Sequence, residues 1–466
     1  MTPTVPRPSP EAVKSVAATL RERFGEHATT AESIREQHSH GEGLPAAGLP
    51  DIVVFPGTDE DVAFILSICN AHLVPVVPFG AGSSLEGQLA ALAGGVCLSL
   101  RRFDEILSVS PEAMDCRVQA GVTRGALNAR IRDTGLFFPV DPGADASIGG
   151  MAATRASGTN AVRYGTMREN TLGLTVVTPD GRIIRTGSRA RKSSAGLDLT
   201  RLYVGSEGTL GVITEVQLKL YGLPESIVAA VCQFETLEGA VDAVVTALQS
   251  GLRLARVELL DEVQMRACIR YSALDYAEVP TLFLEFHGTA AGTAEDVALM
   301  QAIAADHGGG GFRFAERVEE RNRLWKARHG VYHAVLALAP GKKNMGTDAC
   351  VPISELPACL LETKADIEQS GLLAPIVGHV GDGNFHLGIL FDPDDPEETE
   401  RAEALAFRTS RRAIAYGGTC SGEHGIGLHK IAHMQVEHGE GVGLMQAIKS
   451  ALDPNGIMNP GKVYPG

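Results

Sequence analysis

In the stretch GHVGDGNFH, residues 378 to 386, two imidazoles flank an Asp-Gly turn. Neutral imidazole is a good ligand for divalent metals, so the chemistry depends on whether both rings can reach one ion. Taking Asp382 and Gly383 as the loop of a type I′ hairpin pairs Gly381 with Asn384, Val380 with Phe385 and His379 with His386. Directly opposed residues have Cβ atoms roughly 4.5–5.5 Å apart, close enough for both rings to converge on an ion. The plainer alternative is two histidines satisfied by backbone and water.

A second chemical signal is glycine. The segment PFGAGSSLEG, residues 78 to 87, packs glycines and serines whose N–H and hydroxyl groups suit an anionic diphosphate. It is neither GxGxxG nor GxxxxGK[ST], so the Rossmann and P-loop readings fail on spacing, and a surface turn is the alternative. Small residues again dominate from Asp141 to Leu174, as needed where backbone lies against a flat ligand. Then YVGSEGTLGVITEVQLKL runs from a Gly/Ser/Thr loop into an alternating strand.

The elements that must position these groups are also legible. Ser9-Pro10 followed by Val13, Val16, Ala17, Leu20 and Phe24 predicts an amphipathic N-terminal helix. Thr58 and Asp61 predict a helix start, running to about Asn70. TVVTPDGRIIRT centres on a Pro-Asp-Gly hairpin turn. From about 224 to 418 helical stretches such as LEGAVDAVVTAL and AEDVALMQAIAADHG alternate with strands such as TLFLEFHGT, placing a boundary near Gly222-Leu223-Pro224. Glycine-rich loops return after Tyr416.

Composition excludes several functions. With 466 residues and 44% hydrophobic content the chain can fill two or three cores. A formal charge of −15 argues against nucleic acid and against electrostatic binding to an anionic bilayer. Eight cysteines stand singly, which predicts reduced thiols in a cytoplasmic chain. The N-terminal stretch shows no basic start with an apolar run, and no segment suits a membrane span.

Taken together, the three glycine-rich stretches resemble the FAD domain of vanillyl-alcohol-oxidase flavoproteins. GHVGDGNFH, SGEHGIG and NPGK are similar to motifs of its FAD-linked D-2-hydroxy-acid dehydrogenase branch. Within that branch, the segment from LWKARHG to ISELP is most similar to cytochrome- or quinone-dependent D-lactate dehydrogenases. Glycolate oxidase flavoprotein subunits and D-2-hydroxyglutarate dehydrogenases are the near alternatives.

The resemblance implies an α+β chain. An N-terminal helix and FAD domain take residues 1–223, an α/β cap with an antiparallel sheet and metal ligands takes 224–418, and a segment at 419–466 returns to the flavin. It implies FAD contacts from Pro78, Gly80, Ala81, Gly82, Ser83, Ser84 and Gly87, with the pyrophosphate on this loop. Further contacts are implied at Asp141, Pro142, Ile148, Gly149, Gly150, Ala152, Ser157, Gly158, Asn160, Tyr164 and Gly165, and at Glu207, Gly208, Gly211, Ile213 and Asn459.

It also supplies a third metal ligand, Glu423, beside His379 and His386, a set suited to Zn²⁺ or Mn²⁺. His424 is cast as the general base, and Arg328, with Lys343 near it in the pattern, as the substrate-carboxylate cation. The implied partners are a small 2-hydroxy acid and an electron acceptor that is a cytochrome, a quinone or an electron-transfer flavoprotein. Attachment to the membrane periphery through that acceptor and a homodimer stay open. A non-catalytic flavin or metal-binding subunit is the competing class, against which the intact His379, His386, Glu423 and His424 argue.

Residues 78 to 87 contain no His or Cys, so no covalent flavin link can form there. Acid precipitation should therefore release intact FAD into the supernatant. Yellow colour retained in the pellet would contradict noncovalent binding.

Overall fold

The fold is described from a computed structural model, over residues 5–43 and 48–465. The chain divides into two compact units. The first draws on Met1–Ser157, Gly165–Leu223 and Glu423–Gly466, the second on Gly158–Tyr164 and Pro224–Gly422.

In the first unit, Ser9 accepts from the Ala12 N–H and caps the helix Pro10–Phe24, which buries Val16, Leu20 and Phe24 along one face. The first four residues of the stretch read for a leader lie outside the described ones. Thr58 likewise caps Asp59–His72, whose first turn carries Asp59, Glu60 and Asp61 at the positive end of the helix dipole. Strands Ile52–Val54, Val96–Ser99 and Val76–Phe79 pair in parallel, with Ala28–Thr29 antiparallel on the edge. A second, antiparallel sheet orders Ile106–Ser110, Asp115–Gln119, Val212–Lys219, Thr171–Val177 and Ile183–Gly187. Its last two strands are the hairpin about Pro179-Asp180-Gly181. Strand Val76–Phe79 leads directly into the loop of residues 80–87.

The second unit is built on an eight-stranded sheet. Six strands follow one another as Gly309–Ala315, Ser226–Phe234, Thr281–Gly288, Leu254–Leu260, Ile376–His379 and Asn384–Phe391. Lys343–Gly346 and Ala349–Cys350 both pair with the last of these, and every pairing is antiparallel. Helices Leu237–Gln249 and Ala290–Asp306, capped by Thr236 and Thr289, follow sequence patterns that fold as read. Among the described residues no helix is long and apolar enough to cross a membrane.

The hairpin register needs correction. His379 lies opposite Asn384 and His386 opposite Val377, so the turn holds four residues, Val380 to Gly383. The Asp382 N–H donates to the His379 carbonyl at 3.0 Å, closing a wider turn than the Asp-Gly dipeptide alone would make. Relative to the expected pairing the strands slip by two residues. An even slip preserves which face each side chain takes, whereas a slip of one would have put one histidine on each face.

Gly383 has φ +79°, and a Cβ there would come 2.0 Å from the Val351 carbonyl oxygen. Gly383→Ala should therefore lower unfolding stability by at least about 1–3 kcal/mol, the usual cost of left-handed backbone for a non-glycine residue. Chemical denaturation would measure this, and an unchanged midpoint would contradict the turn geometry.

Candidate active site

In the second unit, the face shared by His379, Asn384 and His386 gathers the polar groups. The two imidazole rings stand 5.4 Å apart, edge to face. His386 Nδ1 lies 2.9 Å from the Thr347 carbonyl, which can only accept, so Nδ1 carries the proton and Nε2 the lone pair. His379 Nδ1 lies 2.6 Å from Glu258 Oε1. Burial raises the Glu258 pKa, but the His379 and Arg328 charges outweigh it and leave the carboxyl below its ordinary value. An ionised Glu258 accepts, so His379 also donates from Nδ1 and presents Nε2. Metal-binding histidines commonly hold their second nitrogen this way, on a carboxylate or a carbonyl, and on this ground the residues fit a divalent cation.

Arg328, near the end of helix Val318–His329, donates from Nε to Glu258 Oε2 at 2.7 Å. Lys343 is not brought to it. It is exposed on the edge strand opposite Phe391, and alternation along Asn384–Phe391 puts Phe391 on the face away from His386. That removes the structural ground for pairing Lys343 with Arg328.

Sequence reasoning missed two fully buried carboxylates here, Glu258 and Asp348. Asp348 accepts from Asn384 Nδ2 and from Ser421 Oγ, both at 2.9 Å, and its backbone carbonyl accepts from the Gly422 N–H at 3.1 Å. The chain passes from this anchored glycine directly to Glu423 and His424. The signal for Glu258 was a lone acid inside the otherwise apolar run LARVELL, apart from its arginine.

In the first unit, His424 Nδ1 lies 3.4 Å from Glu86 Oε1, and Lys430 Nζ lies 2.9 Å from the same oxygen. Burial pushes the Glu86 pKa up, but Lys430, His424 and His429 prevail and hold it well below the usual carboxylate range. Gln88 Nε2 donates to the His424 carbonyl at 2.8 Å, tying this segment to the loop of residues 80–88.

The glycine-rich segments behave as a cradle. A Cβ on Gly80 would come 2.4 Å from Ser147 Oγ, so the turn before Ile148 and the first loop pack at contact distance. Among the described residues, the buried hydroxyls of Ser84, Ser147 and Ser206 have no hydrogen-bond partner. A buried hydroxyl without a partner costs about 1–3 kcal/mol, so three on three such turns fit an oxygen-rich ligand such as FAD.

Other expected contacts serve different ends. Glu207, at φ +52°, accepts the N–H groups of Ile426 and Gly427, both at 2.8 Å. Asn459 donates to the carbonyls of Gln88 and Glu207. Gly158, Asn160 and Tyr164 group with the second unit, where Asn160 accepts from Arg256 Nε and Tyr164 OH lies 2.7 Å from His287 Nδ1. Ile148, Gly149, Ala152, Gly208, Gly211 and Ile213 are in the first unit, as are the half-buried Asp141 and Pro142.

The family profile described as FAD linked oxidases, C-terminal domain, matches residues 223–463, and that described as FAD binding domain matches residues 50–187. The chain belongs to the FAD-linked oxidases. Within them it falls in the D-2-hydroxy-acid dehydrogenase branch. It is 51% identical to the probable mitochondrial D-lactate dehydrogenase of Danio rerio, covering 97% of this chain and 92% of the relative. It is 46% identical to the mitochondrial cytochrome D-lactate dehydrogenase of Arabidopsis thaliana, covering 92% and 77%. It is 36% identical to the glycolate oxidase subunit GlcD of Escherichia coli K12, covering 89% and 84%.

Solved structures share the fold at low identity. The 4-ethylphenol oxidase of Gulosibacter chungangensis matches with TM-score 0.78 at 19% identity over 98% of this chain and 99% of that one. A p-cresol methylhydroxylase matches with TM-score 0.78 at 18% identity over 97% of each. The expectation of a cytoplasmic chain is corrected by these comparisons, because the relatives from Danio rerio and Arabidopsis thaliana, and two yeast relatives, are named as mitochondrial.

If the orphaned hydroxyls face the cofactor, Ser147→Ala and Ser206→Ala should each weaken FAD binding roughly 2–10-fold, the worth of one net hydrogen bond. Flavin fluorescence on titrating FAD into apoprotein measures this. Undiminished affinity in the double variant would exclude the assignment.

Proposed function

We propose that this flavoprotein oxidises D-lactate to pyruvate, using noncovalent FAD and a divalent cation held by His379, His386 and Glu423. The observation that carries the reading is the pair of imidazoles whose Nδ1 atoms are both engaged by acceptors, giving two Nε2 ligands on one sheet face. The likeness to named D-lactate dehydrogenases supports the substrate, and a cytochrome acceptor follows the Arabidopsis thaliana relative.

Oxidising a 2-hydroxy acid removes the hydroxyl proton and a hydride from the α-carbon. When bound, FAD supplies the hydride acceptor and the cation supplies a Lewis acid that lowers the pKa of the hydroxyl. His424 takes the proton, its ring oriented by the Glu86 carboxylate at Nδ1. Arg328 holds the substrate carboxylate, because a guanidinium keeps its charge in a partly buried site. Glu258 takes only one of its five N–H donors. A second reading, glycolate as substrate, is favoured by the GlcD likeness and differs by one methyl group.

The roles of Glu423 and His424 can be separated. Glu423→Gln should lower metal occupancy, whereas His424→Asn should keep FAD and metal yet slow flavin reduction roughly 10²–10⁴-fold. Anaerobic single-turnover absorbance with metal analysis reads both, and near wild-type reduction by His424→Asn would remove it as the base. Chelation should stop D-lactate from bleaching the flavin while FAD stays bound, and full activity in verified metal-free protein would sink the metal assignment.

A further inference from the structure

Glu258 has no solvent exposure, and each of its oxygens has a separate partner. Oε2 accepts from Arg328 Nε at 2.7 Å and Oε1 from His379 Nδ1 at 2.6 Å. The carboxylate comes from the middle of the sheet. On one side its residue is paired with His379 and on the other with Phe283, whose ring lies 6.3 Å from that of Trp325. Trp325 and Arg328 are one turn apart on the same helix, so a residue of the sheet and a residue of the covering helix are joined through one buried group.

Stability does not explain such a group. Replacing a buried ionic triad by apolar side chains of similar volume is often neutral or stabilising, because desolvation consumes the Coulombic gain. The surroundings could accept that exchange, since Leu260, Phe283, Trp325 and Val377 already pack together here.

We infer that Glu258 is a positioning residue that sets the spacing between the guanidinium receiving the substrate carboxylate and the imidazole holding the metal. The inference rests on the functional reading above. A 2-hydroxy acid carries its carboxylate and hydroxyl on adjacent carbons, so the spacing of the two recognising groups must be held to within about 0.5 Å of the productive geometry. Two bonds from one rigid, planar carboxylate do this. The bond to Nδ1 also fixes the tautomer in which His379 ligates through Nε2.

The test uses the FAD-loaded protein and its Glu258→Gln variant, which keeps the side-chain shape and removes the charge. Trp325, the single tryptophan of the chain, reports folding of this unit through its emission. With emission and FAD content as in wild type, affinity for Zn²⁺ or Mn²⁺, measured against a competing chelator, should fall roughly 10–100-fold. KM for D-lactate should rise about tenfold or more through the Arg328 bond. Excess metal should then restore kcat but leave KM raised. Unchanged metal affinity and KM would overturn the inference, as would a KM that excess metal returns to the wild-type value, because Glu258 would then act through His379 alone.

Should Trp325 emission show that Glu258→Gln does not fold, Arg328→Met decides. Without the guanidinium the charge balance on Glu258 changes, and through the shared carboxylate the protein's affinity for the ion should shift about fivefold or more. Unaltered affinity overturns the coupling. Wild-type protein that binds no ion and is not reduced by D-lactate would overturn the functional reading itself, whereas a competent wild type with an indifferent Glu258→Gln would overturn only the role of Glu258.

Discussion

Burying a carboxylate without leaving it unpaired is the constraint from which the rest of the second unit follows. Glu258 is out of water, and its ionisation is retained only because Arg328 and His379 approach it from two elements. That requirement fixes the register of Leu254–Leu260 against Ile376–His379, the placement of helix Val318–His329, and the tautomer of one imidazole. Asp348, equally buried, accepts from Asn384 and Ser421 at its carboxylate, while its backbone carbonyl accepts from the Gly422 N–H. The polar groups thereby become a rigid part of the sheet.

The first unit repeats the device around Glu86 and Glu207. Glu86 is nearly sealed from solvent, with Lys430 and His424 on the same oxygen. Glu207 adopts a left-handed backbone conformation, costing about 1–3 kcal/mol, and its two short bonds to the N–H groups of Ile426 and Gly427 offset that strain. Lys462 completes the set. Burial pushes its pKa down to about 7, while the Ala90 carbonyl and Asn459 Oδ1 accept its protons. Residues 423–466 are thus tied by hydrogen bonds to the loop of residues 80–90 and to Glu207.

The hairpin between residues 376 and 391 separates what local chemistry specifies from what pairing specifies. The Asp-Gly dipeptide marked the turn correctly as to place. It did not mark its length, because Val351 and Gly383 are themselves hydrogen-bonded and that contact comes from a distant segment. His379 and His386 nevertheless share a face, since the difference between the expected and observed registers is even. Their meeting is diagonal rather than direct, and the reason given for it in the sequence differs from the one the sheet supplies.

By itself the sequence determined the helix starts at Ser9 and Thr58 and the Pro-Asp-Gly hairpin, because caps and turns act over a few residues, while the family and the antiparallel sheet of the second unit were legible only through the resemblance of its motifs. Spacing about the turn singled out both histidines, and the resemblance singled out Arg328. What only the tertiary structure decided was which groups hold them. Glu258 and Arg328 are 70 residues apart, and Glu258 and His379 are 121 apart. A glutamate in an apolar strand has no local signature that names its partners. The exposure of Lys343 on the opposite face was equally invisible, because the face depends on the strand it pairs with. Long-range pairing converts a list of ionisable residues into a site, because burial forces every charge to find a partner and so fixes the positions of both.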